Sequence, residues 1–227
     1  MSLHDLDPGG VIDRIADIFA RRGAEAYLGE AVTMAEHMLQ CADLARAEGA
    51  PDALVAAALL HDIGHFTSPL GEYTPDDVID RRHETAGAET LAGVFPAVVV
   101  QCVRLHVEAK RYLCATDPGY HDQLSDASKH TLSLQGGPMS EAEAAAFRDL
   151  DFHREAVRVR LWDDGGKSPG RPIPVFDDFR PLLTRVIKGG SALNLVVVGM
   201  AAFPTLARPN PVRFVAAAGA DVGLMLC

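Results

Sequence analysis

At 227 residues the chain is long enough for one sizeable core and short for two, so a single domain over residues 1–188 with a tail over 189–227 is expected. Hydrophobic residues make up 48% of it and aromatic ones only 6%, with Ala, Leu and Val abundant, a composition that suits close-packed helices. A net charge of -10 argues against a general nucleic-acid surface, so an anionic substrate must be met by a local basic cluster.

In chain order, Val11, Ile12, Ile15, Ile18 and Phe19 fall at helical spacing and predict a helix over 11–22, stopped by Arg21, Arg22 and Gly23. A second helix is expected from Glu30, or a turn earlier, to Glu48 before Gly49. Pro51 and Asp52 are first-turn chemistry for a third over 51–65, which carries HDIGH, His61 to His65, in its last turns. Residues 66–74 read as loop, Thr74, Pro75 and Asp77 as the start of a short helix, and His83 to Leu91 as helical again. The segment 95–110 is apolar along one side through Val98, Val99, Cys102, Val103 and Leu105. It ends in the charged HVEAKR, consistent with a helix whose C-terminal end reaches a site. Ser140 and Glu143 form a capping-box pattern that opens 141–147, and another helix is expected over 150–162.

Beyond Pro169, prolines and glycines punctuate the chain, although Phe176 to Ile187 fits a last helix. No stretch alternates like a strand, so the expected fold is all-α, with about seven to nine helices. The apolar run 192–203, broken by Gly199 and Pro204, is too short to span a bilayer core of ~30 Å. The polar N-terminus MSLHDLDPGG and four scattered cysteines, Cys41, Cys102, Cys114 and Cys227, point to a cytoplasmic chain with no disulfides and no membrane attachment.

His37, His61, Asp62, His83, His106 and Asp163 fall near predicted helix ends or on helix faces. Imidazole with carboxylate suits iron, manganese or zinc, whereas calcium would want an all-oxygen shell. Four His and two Asp exceed what one tetrahedral ion uses, so two ions are inferred, with Asp62 placed to bridge them.

The ordered set His37, His61-Asp62, His83, His106, Asp163 resembles the HD-domain superfamily in its longer, two-metal version, which implies an HD-domain helical bundle. Most of that superfamily are phosphohydrolases; a smaller branch binds two irons and activates dioxygen. This chain resembles the branch through YLGE (27–30), AALLHDIGH (57–65), HE at His83, HVEAKRYL (106–113), LSDASKHTLSLQGG (124–137) and RLWD (160–163). Within the branch it is similar to the oxygenases acting on 1-hydroxy-2-aminoethylphosphonate or its N-trimethyl analogue, which release phosphate and glycine or glycine betaine. The resemblance covers about residues 25–165. It implies a small organophosphonate substrate, two iron ions as an Fe(II)/Fe(III) pair, and O2 as co-substrate. It also implies His37, His61, Asp62 and Asp163 around one iron, and Asp62, His83 and His106 around the other.

Spacing supports a substrate site beside these ligands. Lys110 lies four residues after His106 and so shares its helix face, offering an ammonium to a phosphonate. Arg160, three before Asp163, offers a planar fork, and Ser128 and Thr131 add hydroxyl donors three residues apart. His65, one turn beyond His61, faces the site and is expected to hydrogen-bond substrate or a dioxygen-derived species. Tyr27 and Glu30, three apart and expected on one side of an early-starting second helix, match residues that act near the substrate's amino end and the open iron position in the similar oxygenases. For a trimethylammonium, the aromatic faces of Tyr27, Tyr73 or Tyr112 are the alternatives. Two competing readings remain: a metal phosphohydrolase acting on a phosphate ester or nucleotide without O2, and an HD module that binds without turnover.

Overall fold

A computed structural model describes residues 3–27, 29–70 and 78–193. Among the described residues there is no strand, only an isolated antiparallel bridge between Ala26 and Thr33. The α-helices are α1 (Pro8–Arg22), α2 (Met34–Ala47), α3 (Asp52–Leu60), α4 (Gly64–Thr67), α5 (His83–Leu91), α6 (Ala97–Thr116), α7 (Tyr120–Gln123), α8 (Asp126–Leu134), α9 (Glu141–Arg148), α10 (His153–Gly165) and α11 (Arg180–Leu193). The all-α class is as expected. Eleven helices exceed the expected number because α4 and α7 are single four-residue turns and because α8 was not anticipated. The helix start expected at Thr74 to Asp77, Tyr73, and the tail from residue 194 with Cys227 lie outside the described residues.

Several boundaries differ from expectation for local reasons. The second helix begins at Met34, four residues after Glu30, because Thr33 and Glu36 close a reciprocal capping box: Thr33 Oγ1 accepts from Glu36 N, and Thr33 N donates to the Glu36 carboxylate. Tyr27 and Glu30 therefore sit in a turn, with Glu30 N donating to Tyr27 O at 2.7 Å, and do not share a helix face. The third helix ends at Leu60. From His61 the backbone tightens to i→i+3 bonds, with Ile63 N donating to Leu60 O and His65 N to Asp62 O. Helix α6 continues to Thr116, so His106 and Lys110 lie within it and not at its end. Ser125 caps α8 by accepting from Ser128 N, and α11 runs on through Gly189 and Gly190.

Helix α3, DALVAAALL, is apolar nearly all round, and every side chain from Leu54 to Leu60 is buried. It packs against α2, α6, α10 and α11, its alanines letting neighbours approach closely. Leu59 and Leu60 are each worth roughly 1.5–3 kcal/mol by burial. A helix held in the middle of the bundle must release its C-terminal end there too. That is how His61 and Asp62, which no hydrophobic force would bury, come to be 0% and 2% exposed.

The glycine of HDIGH is needed where α4 meets α5. A Cβ on Gly64 would lie 1.8 Å from His83 O and 2.7 Å from Gly87 N, both rigid backbone. Gly64→Ala is expected to push α5 away and destabilise the protein by about 2 kcal/mol, lowering the thermal midpoint by about 4–8 °C. A midpoint within 1 °C of the parent's, measured by calorimetry at equal metal content, would show that the contact relaxes freely.

Candidate metal centre

Five helices or their ends deliver the six side chains singled out by spacing. His37 comes from α2, His61 and Asp62 from the turn after α3, His83 from the first residue of α5, His106 from mid-α6 and Asp163 from the last turn of α10. All but His83, which is mostly buried, are almost wholly enclosed. Asp62 lies at the centre. Its Oδ2 is 3.5 Å from His37 Nε2 and 3.3 Å from His61 Nε2, while its Oδ1 is 3.4 Å from His83 Nε2 and 3.5 Å from His106 Nε2. Asp163 Oδ1 joins the first group, 3.5 Å from His37 Nε2. The two carboxylate oxygens of Asp62 thus face two separate clusters of nitrogen atoms, the arrangement a bridging ligand has.

The rings are held so that Nε2 points inward. His37 Nδ1 lies 2.9 Å from Gly166 O, His61 Nδ1 2.8 Å from Ala58 O and His106 Nδ1 2.7 Å from Val103 O. Each carbonyl takes the Nδ1 proton and leaves Nε2 as the electron-pair donor. Gly166 is required for the first of these, since a Cβ there would be 2.3 Å from Cys41 Sγ. Cys41 itself sits 3.7 Å from His37 Nδ1, and burial pushes its thiol well above the ordinary range, so it packs as a protonated side chain.

The inward atoms lack conventional partners. Asp62 Oδ2 and Asp163 Oδ1 are buried acceptors with no hydrogen bond, and four imidazole Nε2 atoms pair off at 3.0–3.1 Å, His37 with His61 and His83 with His106. Two facing nitrogen atoms, of which at most one carries a proton, make a poor interior contact but a good pair of metal donors. The mixed imidazole and carboxylate set fits a divalent transition metal in each lobe. Electrostatics agree: burial alone would depress His61, but the carboxylates of Asp62 and Asp163 outweigh it and raise the imidazole to about 9. The centre is built to attract positive charge.

A cavity of about 40 Å³ opens on this centre, lined by Tyr27, Glu30, His65, Lys110, Ser128 and Thr131 among others. Lys110 is 3% exposed and donates to Thr131 Oγ1 at 2.8 Å. Desolvation by burial, reinforced by the Arg160 guanidinium, lowers its ammonium to about 7. Arg160 lines the cavity, but most of its fork is spent on its own helix: Nη1 meets Asp163 Oδ2 at 2.5 Å, while Nη2 and Nε meet Asp164, and Nε also meets Tyr120. His65 stacks on His83, ring centroids 4.1 Å apart, with its Nε2 3.9 Å from Asp62 Oδ1. Tyr27 stacks on His37 at 3.9 Å. Tyr112 packs on Phe147 in a separate cluster and is not a cavity residue.

Sequence reasoning overlooked Lys167, whose Nζ donates to Ser128 Oγ at 2.9 Å and lies 3.7 Å from Glu30 Oε1 and 3.8 Å from Asp163 Oδ1. Its spacing four residues after Asp163 is the signal that would have found it. Asp164, four residues after Arg160, carries the same signal; Tyr120, 40 residues away, has none.

The HD-domain family profile matches residues 34–163. The 1-hydroxy-2-(trimethylamino)ethylphosphonate dioxygenase (glycine-betaine-forming) of Leisingera caerulea is 50% identical over 182 residues, 80% of this chain and 93% of that protein. The hydroxymethylphosphonate dioxygenase of Gimesia maris is 40% identical over 175 residues, 76% of this chain and 86% of that protein.

Because His61 must lose its proton to bind metal, affinity should rise with pH up to about 9 and level off above it, the direction set by its raised value. Calorimetric titration of stripped protein with Mn(II) from pH 6 to 10 checks this. Affinity that is flat between pH 7 and 9 would mean that no proton leaves His61 in that range when the metal binds.

Proposed function

The chain belongs to the HD-domain family, and we propose that it is a di-iron oxygenase that cleaves the C–P bond of 1-hydroxy-2-aminoethylphosphonate or its N-trimethyl analogue, releasing phosphate and glycine or glycine betaine. The observation that carries this reading is a buried ammonium and two hydroxyls, Lys110, Ser128 and Thr131, lining one small cavity beside the two-lobed His/Asp centre. The likeness to two phosphonate dioxygenases supports it.

His37, His61, Asp62 and Asp163 would hold one iron, and Asp62, His83 and His106 the other. Iron bound there would supply dioxygen activation and oxidation chemistry at C1. The protein's part is positioning. Lys110 gives the phosphonate a desolvated charge-assisted donor. Ser128 has one lone pair taken by the Lys167 ammonium, which leaves its hydroxyl proton free to point at an anion. Arg160 grips Asp163 Oδ2 and so turns Oδ1 toward His37. Glu30 and the Tyr27 ring flank the amino end. His65, held flat against His83, offers a nitrogen to substrate oxygen; burial keeps it neutral by pushing its imidazolium down to about 3. Lys110, only 3% exposed, is poorly solvated, so its charge is weakly screened.

Phosphate release from the iron-loaded protein should stop in an anaerobic chamber, and undiminished release would mean a hydrolase. His83→Ala should bind one iron per chain and lose oxygenase activity; full activity with one iron would sink the dinuclear assignment. Lys110→Met should raise KM about 10–100-fold, the loss of one charged hydrogen bond. In the parent, affinity should weaken as pH rises through about 7, where Lys110 surrenders its proton. Lys110→Arg should keep binding level to pH 9, and an unchanged pH profile in that variant would assign the titration elsewhere.

A further inference from the structure

We propose that Glu84 is a positioning residue for the second metal lobe: its carboxylate takes the Nδ1 proton of His83, which aims His83 Nε2 at the ion and strengthens it as a donor. The inference rests on the two-metal reading of the centre and not on the reaction that the centre serves. Glu84 is the second half of the HE pair at 83–84 and stands outside the cavity that opens on the centre. The Nδ1 atoms of the other three ligand rings each have a backbone carbonyl, which for His61 and His106 lies three residues upstream. His83 has no such carbonyl within its helix. It is the first residue of α5 and is entered through Arg82 in the left-handed conformation, φ 50°, so Asp80 lies outside the helix. Among the described residues His83 Nδ1 makes no hydrogen bond, and the one carboxylate within ionic range of it is that of Glu84, with Oε2 at 3.8 Å.

A glutamate in the first turn of a helix is ordinary where it meets water and the helix dipole. This one is mostly enclosed, its side chain 13% exposed beside a ring that is 12% exposed. Its Oε1 accepts from the Thr85 hydroxyl at 3.0 Å, while Oε2 is a buried acceptor with no hydrogen bond. Once Nε2 gives its electron pair to a metal, Nδ1 must carry the ring's proton. A donor in need of an acceptor then stands beside a buried acceptor in need of a donor, and a small side-chain rotation joins them. The two lobes also differ in charge. In the proposed ligand set the first has Asp163 as well as the shared Asp62, and the second has Asp62 alone. A carboxylate on Nδ1 makes the His83 ring more basic and brings a second negative charge to the edge of the poorer lobe, which a neutral carbonyl would not do.

The test titrates stripped protein with Mn(II) by calorimetry at fixed pH, and follows the ring protons of Zn(II)-loaded, 15N-histidine-labelled protein by NMR. The parent should bind two ions and show a downfield, slowly exchanging Nδ1 proton for His83, assigned by its loss in His83→Ala. Glu84→Ala should weaken by about 10–100-fold the binding step that His83→Ala abolishes, and should leave the other step unchanged. It should also lose the slow exchange of the His83 proton. Glu84→Gln keeps an acceptor of nearly the same shape, so it should retain the slow proton and bind at least about threefold better at that step than Glu84→Ala. Equal weakening of both steps, as a merely structural role would give, an unchanged Nδ1 proton in Glu84→Ala, or equal losses in the two variants would overturn the inference while leaving the two-metal reading intact. A parent that binds a single ion would overturn that reading and the inference with it.

Discussion

Keeping the Asp62 carboxylate charged in the middle of a helical bundle is the constraint on which the rest of the structure depends. An enclosed carboxylate costs several kcal/mol unless it is met by partners on every side. Here four imidazole nitrogens stand 3.3–3.5 Å from its two oxygens, contributed by α2, the turn after α3, α5 and α6, and a cation held between them and the carboxylate would supply the countercharge. They can surround Asp62 only if α2, α5 and α6 all pack around the end of α3. Fold and site are therefore specified together: the apolar length of α3 drives the packing, and the packing carries the polar turn after Leu60 into the interior.

The outer layer turns this assembly into an oriented one. Three backbone carbonyls, of Gly166, Ala58 and Val103, fix which ring nitrogen faces inward, and two of them lie only three residues upstream of the ring they orient. Such short-range bonds form with the local backbone, so those rings need no distant support. His37 is the exception. Its carbonyl comes from beyond α10, across a contact that admits only glycine, and this couples the orientation of His37 to the seating of the Asp163 helix.

Much of this was readable in the residues, and what escaped has physical causes. The six His and Asp positions could be picked out because such residues on otherwise apolar helices are conspicuous. Lys110 and Arg160 could be placed beside them because spacings of three and four share a helix face. Tyr27 and Glu30 line the cavity from a turn and not from a helix, because a capping box at Thr33 and Glu36 starts α2 late. The T-x-x-E pattern that marks this start stands in the sequence at Thr33 to Glu36. Helix α8 was missed because DASKHTLSL is short and polar, its face toward the site being made of Ser128 and Thr131, not of apolar residues. The pairing of Arg160 with Tyr120 depends on tertiary placement of α7 and has no trace in local pattern, whereas its pairing with Asp164 follows the same spacing of four.

An anionic substrate, as proposed here, looks at odds with an acidic protein on net charge alone. The contradiction disappears once distance and screening are considered. Charges scattered over the surface act through water and fade within about 8–10 Å at physiological salt. Lys110 and Lys167, enclosed with almost no solvent, act through a medium of far lower effective dielectric. A phosphonate at the mouth of the cavity is therefore governed by the few groups that face it and hardly by the charge of -10 carried by the whole chain. Those groups are Lys110 from α6, Ser128 and Thr131 from α8 and Lys167 beyond α10, with Glu30 and the Tyr27 ring, from before α2, standing beside Lys167.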